Sequence, residues 1–134
     1  ILYADNTRRD DGCVQEKERG EVCTHQYIRA YDVAHDGTLS NSRIFANMHS
    51  SEDGVPDGMK VDTDGRVYCT GSEGIWVFEP SGNHVGIIRL PEIPANCAWG
   101  DADYRTMYFT ARSSVYRLRM KTTGINPWRN PAPA

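Results

Sequence analysis

The chain repeats itself, and the period of the repeat limits what it can become. "RVYCTGSEGIWVF" at 66–78 matches "TMYFTARSSVYRL" at 106–118, an offset of 40 residues. A β-rich unit of that length is the period of a propeller blade. "ILYADN" at 1–6 fits the same second-strand place as "RVYCTG". Behind it a polar insertion, 7–26, stands where the other units have a tight turn, and it is expected as a surface loop. Candidate strands are 1–5, 27–33, 43–47, 58–62, 66–70, 74–79, 84–90, 95–99, 106–110 and 114–120, with "HDGT", "TDGR" and "PSGN" as tight turns. No segment keeps a helical apolar period over three turns, so the expected class is all-β.

Blades pack face to face, so their middle strands are apolar on both sides instead of alternating. "GIWVF" at 74–78 has that character. "VYRLRMK" at 115–121 alternates, with Arg117, Arg119 and Lys121 on one side and Tyr116, Leu118 and Met120 on the other, as the wet face of an outer strand would. Residues 1–47 supply three strands of a blade lacking its first, 56–90 a complete blade, and 94–120 three strands of a blade lacking its fourth, with a tail at 124–134. The expectation is one partial propeller domain over 1–134. Its open edges call for further blades, from the rest of the protein or from a second chain.

The 134 residues suffice for one core, and 39% apolar with 25% charged residues place the chain in the soluble globular class. A formal charge of −3 lacks the basic field that nucleic acid or an anionic membrane would need, and no apolar run approaches the roughly 18 residues of a membrane helix. Neither is expected as a partner. "ILYADN" opens directly in strand-like sequence, which suggests a chain processed or cut from a longer one. Cys69 and Cys97 fall in apolar strand candidates and are expected as buried free thiols. Cys13 and Cys23 bracket a polar loop and form either a short bridge or two free thiols, which leaves the compartment open. The histidines at 25, 35, 49 and 84 share no metal-ligand spacing and are read as solvated. G-x-S-x-G, H-E-x-x-H, P-loop and G-x-G-x-x-G signatures are absent.

"EDGVPDGMKVDTDGRVY" at 52–68 holds the residues with chemical interest. "DTDG" at 62–65 resembles a calcium loop, but the other ligands of an EF-hand are missing, and a hairpin turn is the expected role of Asp62 and Asp64. Asp57 differs. Pro56 holds the backbone extended before it, and Gly58 is expected to let the chain turn into the following strand. A carboxylate leading an innermost propeller strand points to the central channel, where oxygen ligands from several blades can surround a hard divalent cation.

"GVPDGMKVDTDGRVYCTGSEGIWVFEPSGNHVGIIRLPEIPANCAWGD" followed by "MYFTARSSVYRLRMK" resembles the C-terminal half of the SMP-30/gluconolactonase family, which includes regucalcin. The resemblance implies a six-bladed propeller holding one divalent cation (calcium, or magnesium, manganese or zinc) that hydrolyses small lactones of the sugar type. It implies for Asp57 the role of metal-binding carboxylate and handler of the attacking water's proton. Asn96, in "PANCAWG", stands near the matching strand entry of the next blade, offset by one position, and either lines the substrate pocket or serves as a turn-stabilising amide. Most other ligands of the cation would come from outside this segment, so the isolated segment is expected to be inactive. Two other readings are a non-catalytic propeller or half-propeller binding module and a related propeller esterase.

Overall fold

The structure, a computed structural model, describes residues 1–7 and 26–128. Most of the 7–26 insertion, with Cys13, Cys23 and His25, lies outside the described residues, as does the end of the tail. Ten strands are present: β1 (Leu2–Asp5), β2 (Tyr27–Val33), β3 (Leu39–Asn47), β4 (Met59–Val61), β5 (Val67–Gly71), β6 (Gly74–Phe78), β7 (His84–Arg89), β8 (Pro94–Gly100), β9 (Thr106–Ala111) and β10 (Val115–Arg119). They form three antiparallel sheets ordered β1-β2-β3, β4-β5-β6-β7 and β10-β9-β8. No helix occurs among the described residues, so none is long and apolar enough to cross a membrane.

Each expected strand is found, and the largest shift in a boundary has a local cause. β3 begins at Leu39 and not at 43, because the "HDGT" turn closes early. Ala34 N–H donates to Thr38 at 2.9 Å, Gly37 turns with φ +85°, and Asp36 Oδ1 accepts the Thr38 N–H at 2.9 Å. Pairing can then start at Val33↔Leu39.

The middle sheet is sandwiched. Val67, Cys69 and Phe78 join Ile28, Ala46 and Met48 in one buried cluster against the first sheet. Tyr68 and Ile75 join Cys97, Trp99, Met107 and Phe109 in a second cluster against the third. β5 and β6 thus send alternate side chains into two cores, which is why "GIWVF" shows no apolar–polar alternation. Cys69 and Cys97 are free and buried, one in each cluster. Burial pushes the Cys97 thiol up to about 11 and raises that of Cys69 further, assisted by the charge of Asp5. Both are packing groups and not nucleophiles. His84 is exposed as expected, but it opens β7 and stacks on Trp76 at 4.6 Å.

Asp62 departs from its expected role as a plain turn residue. It is 0% exposed. Its Oδ1 accepts the N–H groups of Asp64 and Arg66 at 2.9 and 2.8 Å, and its Oδ2 accepts the Tyr68 hydroxyl at 2.9 Å and Arg66 Nη1 at 3.4 Å. Burial and this carboxylate together raise the Tyr68 phenol well above its ordinary pKa. Asp64 is the turn residue proper, with a side chain 59% exposed and paired to Arg66 at 2.7 Å.

After β10 the chain folds back beneath the sheets. Gly124 bridges Asp62, Thr63 N–H donates to Thr123 at 2.8 Å, and Ile125 N–H reaches Val61 at 3.3 Å. Gly124 lies so close to the Trp99 indole that a Cβ there would fall 1.9 Å from Cγ, which excludes any larger residue without displacement. This segment ties the far end of β4 to the third sheet.

On the outer side Arg119 Nη1 donates to Asp103 at 2.9 Å and Nη2 meets the other oxygen of the same carboxylate. The pair holds the Asp103 pKa down at about 2 against an ordinary 3.8. A depressed folded-state pKa gives stability that is present above the ordinary value and lost as pH falls through the folded one. Asp103→Asn should therefore flatten the loss of stability between about pH 4 and pH 2, a window read from these two pKa values. Urea titrations at intervals across that range check it, and an unchanged slope would refute the assignment.

Candidate active site

The sequence places Asp57 two residues before β4, the innermost strand of the only four-stranded sheet among the described residues, and local chemistry fixes it there. Pro56 is fully buried and anchors the segment. Thr70 Oγ1, on β5, accepts the backbone N–H of Asp57 at 3.1 Å and that of Gly58 at 2.9 Å. Thr70 N–H donates to the Gly58 carbonyl at 2.9 Å. With its backbone held on both sides, Asp57 exposes its side chain, and no described side chain hydrogen-bonds or ion-pairs with that carboxylate.

Thr70 is itself 0% exposed. Thr70→Val keeps the shape and removes the acceptor, leaving two N–H groups short of a partner. We expect a stability loss of about 1–3 kcal/mol and faster amide exchange at Asp57 and Gly58. Exchange measured by NMR decides it, and wild-type protection in the valine variant would sink the claim.

Asn96 meets the same place from the third sheet. Its Cα and side chain pack on Gly58 so closely that a Cβ at 58 would lie 2.3 Å from Asn96 Oδ1 and 2.5 Å from its Cα. Gly58 is therefore required by this approach and not by a sharp turn, since its φ lies outside the left-handed region. The two candidate residues from the sequence are thus brought to adjoining strand ends. Asn96 Oδ1 accepts the Cys97 N–H at 2.8 Å, so its amide also steadies the local backbone. Asn96 also lines an open cavity of about 370 Å³ with Lys60, Cys97, Ala98, Tyr108 and Thr110. A cavity of about 540 Å³ lies instead against the folded-back segment, between Met59, Val61, Trp99 and Trp128.

Asp5 escaped the sequence reading. It ends β1 half-buried, with Oδ2 3.9 Å from the Cys69 thiol. Burial raises its pKa, and the charge of Asp57 raises it further. Two carboxylates therefore share this end of the first sheet junction. The signal was available: Asp5, Thr70 and Thr110 hold one position of the repeat. Among the described residues no three His, Cys, Asp or Glu side chains gather as a cation cage. Asp57 offers the hard anionic oxygen that Ca²⁺ or Mg²⁺ prefers, so this segment fits one side of such a site.

Residues 22–113 match the family described as the SMP-30/gluconolactonase/LRE-like region. A gluconolactonase of Zymomonas mobilis is 37% identical over 73 residues, covering 53% of this chain and 20% of its own. A solved gluconolactonase from Xanthomonas campestris superposes with a TM-score of 0.60 at 31% identity, over 69% of this chain and 29% of that one. A calcium-binding protein from Agrobacterium tumefaciens, regucalcin, superposes with a TM-score of 0.65 at 15% identity, over 75% and 40%, and bears on the fold alone. The chain thus spans about a fifth of the Zymomonas relative and under half of either solved structure.

Proposed function

Since this chain belongs to the SMP-30/gluconolactonase/LRE-like family, we propose that it forms part of a cation-dependent hydrolase of small lactones, of the sugar type. In this reading the ring is completed by blades outside the segment. The observation that carries it is the exposed carboxylate of Asp57, without a side-chain partner among the described residues and leading an inner strand whose backbone Thr70 fixes.

Lactone hydrolysis adds water to a ring ester carbonyl, breaks the carbonyl–alkoxy bond and leaves a hydroxy acid. A hard divalent cation supplies polarisation of the carbonyl and acidification of water. Asp57 is the residue here that would hold it, and its carboxylate takes a proton from the attacking water and returns it to the departing alkoxide. In this reading the Asn96 amide donates to a substrate hydroxyl or carbonyl. Thr70 keeps the backbone of Asp57 from shifting as the charge moves.

The test is turnover of a sugar lactone by the polypeptide with all its blades, followed by acid release with and without a chelator. Chelator-sensitive hydrolysis supports the reading. A protein that binds the lactone and leaves it intact would replace the reading with a binding module.

A further inference from the structure

The first and middle sheets share one plan, and the β1–β2 pairing matches the β5–β6 pairing residue for residue. Asp5 on β1 stands opposite Ile28, and Thr70 on β5 stands opposite Ile75. Both isoleucines are 0% exposed. β1 therefore occupies the place of β5, and Asp5 the place of Thr70. On β5 that place has a defined task, for Thr70 Oγ1 accepts two successive N–H groups, 3.1 and 2.9 Å away, at the leading end of the inner strand β4. In the first sheet no described strand lies inside β1, whose inner edge is open.

We propose that Asp5 is a positioning residue whose carboxylate accepts the two leading backbone N–H groups of an inner strand seated on the free edge of β1, and thereby fixes that strand's first side chain beside Asp57. Only the last clause rests on the proposed lactonase site. The occupant is a strand of the same polypeptide. β4 fills the equivalent place in the middle sheet, and the chain covers only 20% of its Zymomonas relative.

The choice of aspartate over threonine fits the task. A carboxylate is acceptor-only, with two oxygens, and charge-assisted bonds to backbone N–H groups are about twice as strong as neutral ones. Oδ2 faces the Cys69 thiol, a weak donor, 3.9 Å away. A half-buried carboxylate beside a second one needs donors, and two aligned N–H groups supply them without bringing in a further side chain. They also draw negative charge away from the Asp57 side of the junction.

The test compares wild type, Asp5→Val and Asp5→Thr in the polypeptide with all its blades. One readout is amide exchange by mass spectrometry over the strand that pairs with β1. The other is the affinity for Mn²⁺ alone. Asp5→Val is expected to speed exchange at that strand's first two amides by at least tenfold, and to weaken Mn²⁺ binding by a similar factor. Asp5→Thr, which imitates the middle sheet, should stay within about threefold of wild type in both. Asp5→Ala carries the same expectation as valine should the valine variant not fold. Unchanged exchange in Asp5→Val, or equal effects of valine and threonine, overturns the proposal. If wild type binds no Mn²⁺, the lactonase reading fails, while the exchange data still decide the role of Asp5.

Discussion

Asp57→Ala is expected to abolish cation binding and to lower lactone turnover by more than about 100-fold, while the fold survives. Alanine removes a full negative charge and an oxygen that a hard cation needs. Loss of partners one shell further out already costs 10–100-fold. The fold does not depend on this side chain, because what is anchored here is the backbone, by Thr70 Oγ1 and by buried Pro56. Asp64→Ala is the control seven residues on. It removes an exposed pair with Arg66 from a turn, worth at most about 1 kcal/mol, and should leave binding and rate alone. Isothermal titration with Mn²⁺ and acid release from a sugar lactone measure both variants. If Asp57→Ala keeps its metal and its rate, the assignment is wrong and the binding-module reading gains.

Asp62→Ala is expected to cost about 3 kcal/mol of stability, the largest loss among the polar substitutions considered. Three donors lose their acceptor together: the Tyr68 hydroxyl and the N–H groups of Asp64 and Arg66. Tyr68 is buried and packs edge-on to Trp99 at 5.4 Å, so its hydroxyl cannot swing to water without disturbing the second core. The Arg66 contribution is discounted, because that side chain is 40% exposed and water can solvate it. Asp62→Asn, retaining one acceptor oxygen, should lose roughly a third as much. Urea unfolding of both separates the outcomes, and a loss under about 1 kcal/mol for alanine would show that the turn re-satisfies these donors.

The strands were legible because each carries its own signature. Asp-Gly and Ser-Gly turns punctuate them, and the 40-residue offset between 66–78 and 106–118 aligns them. Asp57 stood out for a similar reason, since a carboxylate between Pro56 and Gly58 has no local use. What stayed hidden depended on contacts between repeats. Asp62 looked like any turn aspartate, and only the Tyr68 hydroxyl and the passing backbone of residues 123–125 make its surroundings an interior. Gly58 looked like a bend, whereas its constraint comes from Asn96 across a sheet junction. Asp5 could have been found by asking what sits at the position of Thr70 in the other copies, a question of repeat arithmetic and not of motif.

The double duty of β5 and β6 bears on how the molecule comes apart. In a repeat array each unit has some stability of its own, and neighbours add theirs, so melting can proceed piecemeal from an end. Here the middle sheet supplies half of the buried residues of the first core and a third of those of the second: opening the first sheet strips Val67, Cys69 and Phe78, and opening the third strips Tyr68 and Ile75. Neither flank can leave without exposing a face of the centre, and the segment at 123–125 binds the third sheet to β4 as well. Despite its repetitive sequence, the segment is expected to lose its structure in one cooperative step, with amide protection in β5 and β6 reporting the global event and not a local one.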